Sequence, residues 1–481
     1  MSPAGGVRPA PRVAWDRWLD SLARADWSAR PTSSDPDARA RGHGDGTGDR
    51  DSVLVAVDEL VAIGEALGRV TAAPVVARWP SPRGDCAAMD GIAVRAADLA
   101  AAAPGLAAAD LAASAADALA DGARPTDGPV RLPAGTFEWI DTGDPLPSGT
   151  DTVVVRERLL PQADGSVIIA PAAEAADHGR RAGHRPSRQN VRTTGEDFAA
   201  GEVLVPAGRR LRPGDLAAVA AGGHAAVTVA RRPVVAIIPT GDEIRPLGTV
   251  ARFGDIIDTN SLMLAARCRQ LGAEPLVSTV VPDDPDALAV ELRRAAGEAD
   301  LVLVIAGSSR GRGDHAGAVI AQVGGVAVAG VAVRPGHPAL LGHAKRPEAG
   351  NNADHQAGNA DHQAGIAPVI GLPGYPLATA VIFELFAAPM LAALTGQAPA
   401  RDRVRARLDR DWASPVDVED WVLVTLAGDP ASGAPLATPA RRGASSISQL
   451  ARADAWWPVP AGLGTFAAGT EIEVIPIRDG V

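Results

Sequence analysis

Residues Asp300–Gly324 read DLVLVIAGSSRGRGDHAGAVIAQVG. A branched apolar run (Asp300–Ile305) leads into glycines, serines, two arginines and an aspartate, and a small-residue segment of helical character follows. A continuous apolar run of this length predicts a strand buried on both faces. Gly and Ser after it let backbone N–H groups point inward, and the next helix N-terminus adds positive potential, which makes an anion cradle. The same alternation continues on either side. VVAII (234–238), PLVSTVV (275–281), VAVAGVAV (326–333) and APVIGL (367–372) predict strands. NSLMLAARCRQLGA (260–273), with Asn260 and Ser261 as caps, DPDALAVELRRAAG (284–297) and PLATAVIFELFAAPML (376–391) predict helices. Strand–helix alternation means a parallel sheet covered on both faces, with ligands beyond the carboxyl ends of the strands.

Those strand ends carry chemistry. PTGDEI (239–244), PDD (282–284), RPGHP (334–338) and GLPGYP (371–376) put acids, cations and rigid Pro-Gly turns on the rim that holds the anion cradle. Acids do not hold phosphate, so their use is to bind Mg²⁺ or to accept from the amines of a base or pterin. Three familiar motifs fit the cradle poorly. Gly311, Gly313 and Ala316 match a dinucleotide fingerprint, but no acid ends the next strand. Gly307, Ser309 and Gly311 match a nucleophile elbow, yet the glycines after it resist the immediate helix an elbow needs. A P-loop needs a lysine, and none is there.

Composition narrows the field. The net charge is −11, which argues against nucleic acid or an anionic membrane as partner. Of 46 basic residues one alone, Lys345, is a lysine. Two cysteines far apart, Cys86 and Cys268, are neither a disulfide framework nor a metal motif and suit a reducing cytoplasm. No apolar run of about 18 residues and no leader pattern are expected, which implies a cytoplasmic protein off the membrane.

The expected organisation is an N-terminal extension (1–50), partly disordered, with helical spacing of Trp15, Trp18, Leu19 and Leu22. A region with short strands and turns follows (51–230), although 53–76 carries a helical pattern. Next comes the α/β domain (231–396), with an insertion loop (343–366) holding the tandem repeat NADHQAG. A small all-β domain (402–481) closes the chain. The expected fold is therefore multi-domain α/β: a central three-layer parallel-sheet domain between β-rich ends.

In this order the segments resemble the MoeA family, the molybdopterin molybdotransferases. RGDCAAMDGIAVR (83–95) is similar to that family's N-S-A-M-D-G-Y-A-V-R, and IDTGDPLPSGTDTVVVRE (140–157) to its T-G-x-P-L-P-x-G-x-D-x-V-V-x-x-E. GED (195–197) and RRPVVAIIPTGDEI (231–244) match too; the cradle stands for S-G-G-x-S-x-G-x-x-D, RPGHP for K-P-G-K-P and GLPGYP for G-L-P-G-N-P. The resemblance implies a dimer that inserts molybdate into adenylylated molybdopterin and releases AMP, with Mg²⁺ assisting and a possible contact with the pathway's molybdopterin adenylyltransferase. It implies acids at Asp90, Glu196, Asp242 and Asp314, with Asp90 reaching the site across the dimer. Pterin or phosphate would meet Thr142, Gly307, Ser308, Ser309, Gly311, Pro373 and Gly374. Asp242 and Glu243 would serve the metal, and Arg334 and His337 would contact molybdate.

Departures from the pattern matter. Both K-P-G-K-P lysines are replaced, by Arg334 and His337; Tyr375 stands for an Asn and Ala378 for a Ser. Arg keeps a fixed cation, whereas an unperturbed imidazole is charged only below roughly pH 6.5. Oxyanion affinity is then expected to strengthen as pH falls from about 8 to 6. The alternative reading is a molybdopterin-binding module that is non-catalytic or retuned to tungstate.

Overall fold

The structure, a computed structural model, describes residues 8–25, 27, 58–102, 130–170, 188–306, 315–347, 365–397, 402–428, 435–441, 443 and 446–477. The NADHQAG repeat lies outside these residues.

The α/β domain is built on a six-stranded sheet. Its strands are β1 (Val234–Pro239), β2 (Glu274–Val277), β3 (Leu301–Ala306), β4 (Gly324–Ala329), β5 (Leu340–Lys345) and β6 (Ile366–Pro373), in spatial order β2-β1-β3-β6-β5-β4. Four of them, β2, β1, β3 and β6, run parallel, and every residue of β3 and β6 is buried, as their unbroken apolar runs require. The sheet is mixed rather than wholly parallel, because β5 is antiparallel to both β6 and β4. The expected strand 326–333 stops at Gly330, whose φ of +88° turns the chain. The chain then returns through β5, whose end from His343 to Lys345 reads in sequence as the start of the insertion loop. RPGHP consequently occupies the turn between β4 and β5 at the carboxyl-end rim. Where β1 and β3 begin, Arg231 grips the buried Asp300 through two 2.8 Å bonds, and the Val234 N–H donates to the same carboxylate.

Helices cover both faces. On one side α1 (Pro11–Arg24) packs on β4 and β5. It buries Trp18 completely, and Trp18 Nε1 donates to the Gly342 carbonyl at 2.7 Å. The helix from Pro376 to Leu394, with a π-helical turn at Phe383–Ala387, packs beside it, Trp15 stacking on Phe386. By length and apolarity Pro376–Leu394 passes for a membrane span, contrary to the expectation that no such run exists. Phe383, Phe386 and Met390 are buried in the sheet core, which explains that apolarity without a bilayer.

The N-terminal region is β-rich. Asp58–Ala62 pairs with Ala226–Ala230, and Val75–Val76 with Val203–Val205, around Val205, Leu211 and Val219. The helical pattern of 53–76 is thus overturned within its described part. Strand pairing with residues far along the chain outweighs local spacing, and Gly64 and Gly68 disfavour a helix there. Further out, Gly91–Val94 lies between Glu138–Ile140 and Thr152–Val155. A Cβ on Gly91 would collide with the Val154 carbonyl, so the residue after Asp90 has to be glycine.

The C-terminal region is a six-stranded sheet in the order 333–334, 419–427, 436–439, 404–408, 471–476, 455–459, whose last strand pairs back onto Glu419–Ala427. Its first strand, Val333–Arg334, belongs to the α/β domain's rim turn, so the sheet is joined to that rim.

Candidate active site at the sheet rim

The carboxyl ends of β1, β3 and β6, the 334–338 turn and the edge of the C-terminal sheet enclose a cleft of about 1280 Å³. The β1 end supplies Pro239, Thr240 and Glu243; Thr240 Oγ1 donates to the Ile305 carbonyl at 2.9 Å and ties β1 to β3. The β6 end supplies Pro373, Gly374 and Tyr375. There Thr379, in the first turn of the next helix, donates its hydroxyl to the Pro373 and Tyr375 carbonyls and fixes the Pro-Gly turn. The 334–338 turn supplies Arg334 and His337, both exposed. Glu243, Pro373, Gly374, Arg334 and His337 are thus brought to one cavity. Ala378, where the family pattern has a hydroxyl, is on its wall.

Asp242 sits in the same turn as Glu243 but not on the cleft wall. Its carboxylate accepts one 3.2 Å bond from the Asp283 N–H and is exposed. Gly307, Ser308, Ser309, Gly311 and Asp314 lie outside the described residues. The residues on either side of that stretch, Ala306 and His315, share a small recess with Thr240, Asp283 and Asp284.

Asp90, Thr142 and Glu196 are not among the cleft residues of their own chain. Asp90 is held by Thr142, whose N–H and hydroxyl each donate at 2.7 Å to the same carboxylate oxygen. Those bonds, the hydroxyl first, hold the Asp90 carboxyl below the usual carboxylate range. Glu196 accepts from the Thr193 N–H at 2.9 Å. Among the described residues no three of His, Cys, Asp and Glu converge as a metal cage. The hard oxygen donors of Asp242 and Glu243 fit a cation such as Mg²⁺, which is usually held by one or two carboxylates with substrate phosphates supplying the rest.

Sequence reasoning missed several cleft residues. Asn260 is not a cap. Its helix starts at Asn260 itself, and Asp258 takes the Ser261 N–H at 2.9 Å. Asn260 Nδ2 donates to the Gly374 carbonyl at 2.7 Å, while its Oδ1 is buried without a donor on the cleft wall. An orphaned buried acceptor costs stability unless a ligand satisfies it. Trp412, Asp420, Arg441 and Gln449 come from the C-terminal sheet and its helix. The pairing of Arg334 with Asp420 brings them in, and no local pattern announces a contact so distant in sequence.

Three family models match in chain order: the MoeA N-terminal region (domain I and II) over residues 49–223, a probable molybdopterin binding domain over 236–393, and the MoeA C-terminal region (domain IV) over 405–477. A molybdopterin molybdenumtransferase of Nostoc sp. is 32% identical over 342 residues, 71% of this chain and 70% of that protein. Molybdopterin molybdenumtransferase 2 of Mycobacterium tuberculosis is 32% identical over 445 residues, 86% of this chain and 94% of its own length. Among solved structures, a molybdopterin biosynthesis MoeA protein from Pyrococcus horikoshii superposes with a TM-score of 0.69 at 25% identity, covering 98% of this chain and 100% of that one. By sequence and by fold, this chain belongs to the MoeA family of molybdopterin molybdenumtransferases.

Proposed function

We propose that the rim cleft inserts molybdate into adenylylated molybdopterin and releases AMP. Family membership makes the chain a transferase of molybdenum cofactor biosynthesis that works on molybdopterin. The observation that carries the finer reading is the joint lining of one 1280 Å³ cleft by cations, carboxylates and an orphaned amide oxygen. Asn260 Oδ1 accepts an N–H of the pterin, and Arg334 with His337 faces the anionic part of the substrate. Arg334 offers a permanent charge with planar donors. The Asp242–Glu243 turn would hold Mg²⁺, which would supply positive charge against the substrate phosphates. Pro373 and Gly374 limit how far the pterin can move. The cradle, Gly307, Ser308, Ser309 and Gly311, ending in Asp314, takes the phosphate side.

The working unit in this reading is a cytoplasmic homodimer whose sites are shared. Asp90, Thr142 and Glu196 of one protomer complete the cleft of its partner, because they do not line their own. Exposed apolar side chains stand beside both rims, Met89 and Trp139 near Asp90 and Leu247, Val250 and Phe253 just before Ile256 of the cleft, as expected of surfaces that another chain covers. The test is AMP release from adenylylated molybdopterin with Mg²⁺, with and without molybdate. Acceleration by molybdate with metal entering the pterin supports the reading. Tight pterin binding with no molybdate-dependent turnover leaves a binding module, and turnover with tungstate alone indicates a retuned site.

A further inference from the structure

The matched family regions begin at residue 49, yet the cleft draws on a residue far upstream of them. Arg8 lines it. The segment that carries Arg8 is fixed at two points. Pro9 accepts the Ala332 N–H at 2.8 Å, on the turn that also carries Arg334. Immediately after it, α1 is anchored by the buried Trp18 and its 2.7 Å bond to Gly342. The arginine side chain runs across bare backbone: a Cβ on Gly330 would lie 3.1 Å from Arg8 Nε and 3.3 Å from the His337 carbonyl oxygen. Arg8 therefore lies beside the turn that bears both expected oxyanion contacts.

Charge pairing points the same way. Several arginines elsewhere meet acids, as in Arg231–Asp300, Arg267–Glu384 and Arg294–Glu291. Among the described residues no carboxylate pairs with Arg8, Arg334 or Arg441, although all three line a cleft that also contains Glu243, Asp258 and Asp420. Asp258 is turned to the Ser261 N–H, and Asp420 accepts the Ser414 hydroxyl at 2.6 Å. Unpaired guanidinium groups around one cavity repel each other unless an anion enters it. The orphaned Asn260 oxygen is an independent sign that the cavity takes a ligand.

We infer that Arg8 is an anion-contacting specificity residue of the cleft, taking a tetrahedral oxyanion of the substrate alongside Arg334. The inference rests on the reading of the cleft given above. The oxyanion has two sources, the phosphoryl group of the nucleotide-linked pterin or molybdate itself. Arg8 supplies from outside the matched regions a cation where the family's K-P-G-K-P pattern has two lysines and this chain has Arg334 and His337.

The experiment compares the full-length wild type with Arg8→Ala and Arg8→Lys. AMP-release kinetics are measured against the adenylylated pterin, and calorimetry is run with molybdate alone and with AMP alone. Arg8 is exposed, so both variants should melt with the wild type. If the phosphoryl group is the ligand, Arg8→Ala raises KM for the pterin about tenfold with kcat within about twofold, and Arg8→Lys recovers most of the loss. If molybdate is the ligand, its Kd weakens about tenfold while the pterin KM holds. Unchanged constants in Arg8→Ala overturn the inference. So does a loss that Arg8→Lys does not relieve and that comes with a lower melting temperature, since that is a structural role. Should the wild type release no AMP, the proposed function fails, and the calorimetric arms still decide Arg8: weaker molybdate or AMP binding in Arg8→Ala supports it, and equal binding overturns it.

Discussion

The Asp90 turn and the Asp242 turn are both acidic and exposed, and they are built in opposite ways. Asp90 is fixed through one oxygen: two 2.7 Å donors from Thr142 hold it, and Gly91 lets the strand beneath it approach closely. Asp242 is loose, with one 3.2 Å bond to the Asp283 N–H. The first carboxylate is preorganised and ionised, suited to contact a fixed part of a partner. The second keeps its lone pairs open to a cation or an N–H donor. The difference also follows the architecture. Asp90 rests on a small local sheet, whereas the cleft beside Asp242 is assembled from the N-terminal segment, the α/β rim and the C-terminal sheet.

The largest effect should come from the loose acid. Asp242→Asn is expected to slow AMP release about 10²-fold or more while pterin binding changes little, because a group acting on the transition state costs kcat and not affinity. Equal loss of both, from rate and calorimetric measurements, would make Asp242 a binding residue and remove the contrast with Asp90.

Next is the assembly of the cleft side. Trp18→Ala should lower stability by about 3 kcal/mol, read by denaturant unfolding, since it empties a fully buried site and removes the bond from Trp18 Nε1 to the Gly342 carbonyl. The loss should fall on the α/β domain first. Loss confined to residues 8–25 by hydrogen exchange would show that the helix is dispensable to the rim.

A smaller change is expected at the engaged acid. Thr142→Val removes the hydroxyl donor but leaves the Thr142 N–H, so Asp90 should titrate closer to 3.8. A carboxylate held below its unfolded value contributes stability above about pH 4 that is lost as pH falls through its folded pKa, so the variant should have less of it to lose and finish losing it at a higher pH. An unmoved Asp90 titration, followed by NMR, would mean the hydroxyl bond is not made in solution.

The smallest effect concerns His343. Burial, with Lys345 nearby, pushes its imidazole below 6.5. The unfolded chain therefore binds the proton more readily, and stability declines as pH drops below about 6.5. His343→Leu should flatten that part of the stability profile; an unchanged slope would place the acid sensitivity elsewhere.

Much of the α/β domain was legible in the sequence, since its helices and buried parallel strands have clean periods, as in Leu301–Ala306 and Pro285–Glu298. The β4–β5 turn was not, because Gly330 interrupts what reads as one apolar strand. Nor was Asp58–Ala62, which depends on a partner strand at Ala226–Ala230. The cleft showed the same division. Arg334, His337, Pro373, Gly374 and Glu243 lie in short motifs after expected strands, which element order brought to one rim and the family resemblance marked as site residues. Asn260 was mistaken for a cap, and Arg8, Asp420 and Arg441 arrive through contacts between distant segments, which leave no local signature.

The most direct measurement of the central claim, that two unlike acid turns from two protomers build one site, is complementation between Asp90→Asn and Asp242→Asn. Each variant alone should be nearly inactive in molybdate-dependent AMP release. After unfolding and refolding an equal mixture, half the dimers are mixed and each holds one intact site, so about a quarter of the wild-type rate should return. A mixture as inactive as its components would contradict a shared site.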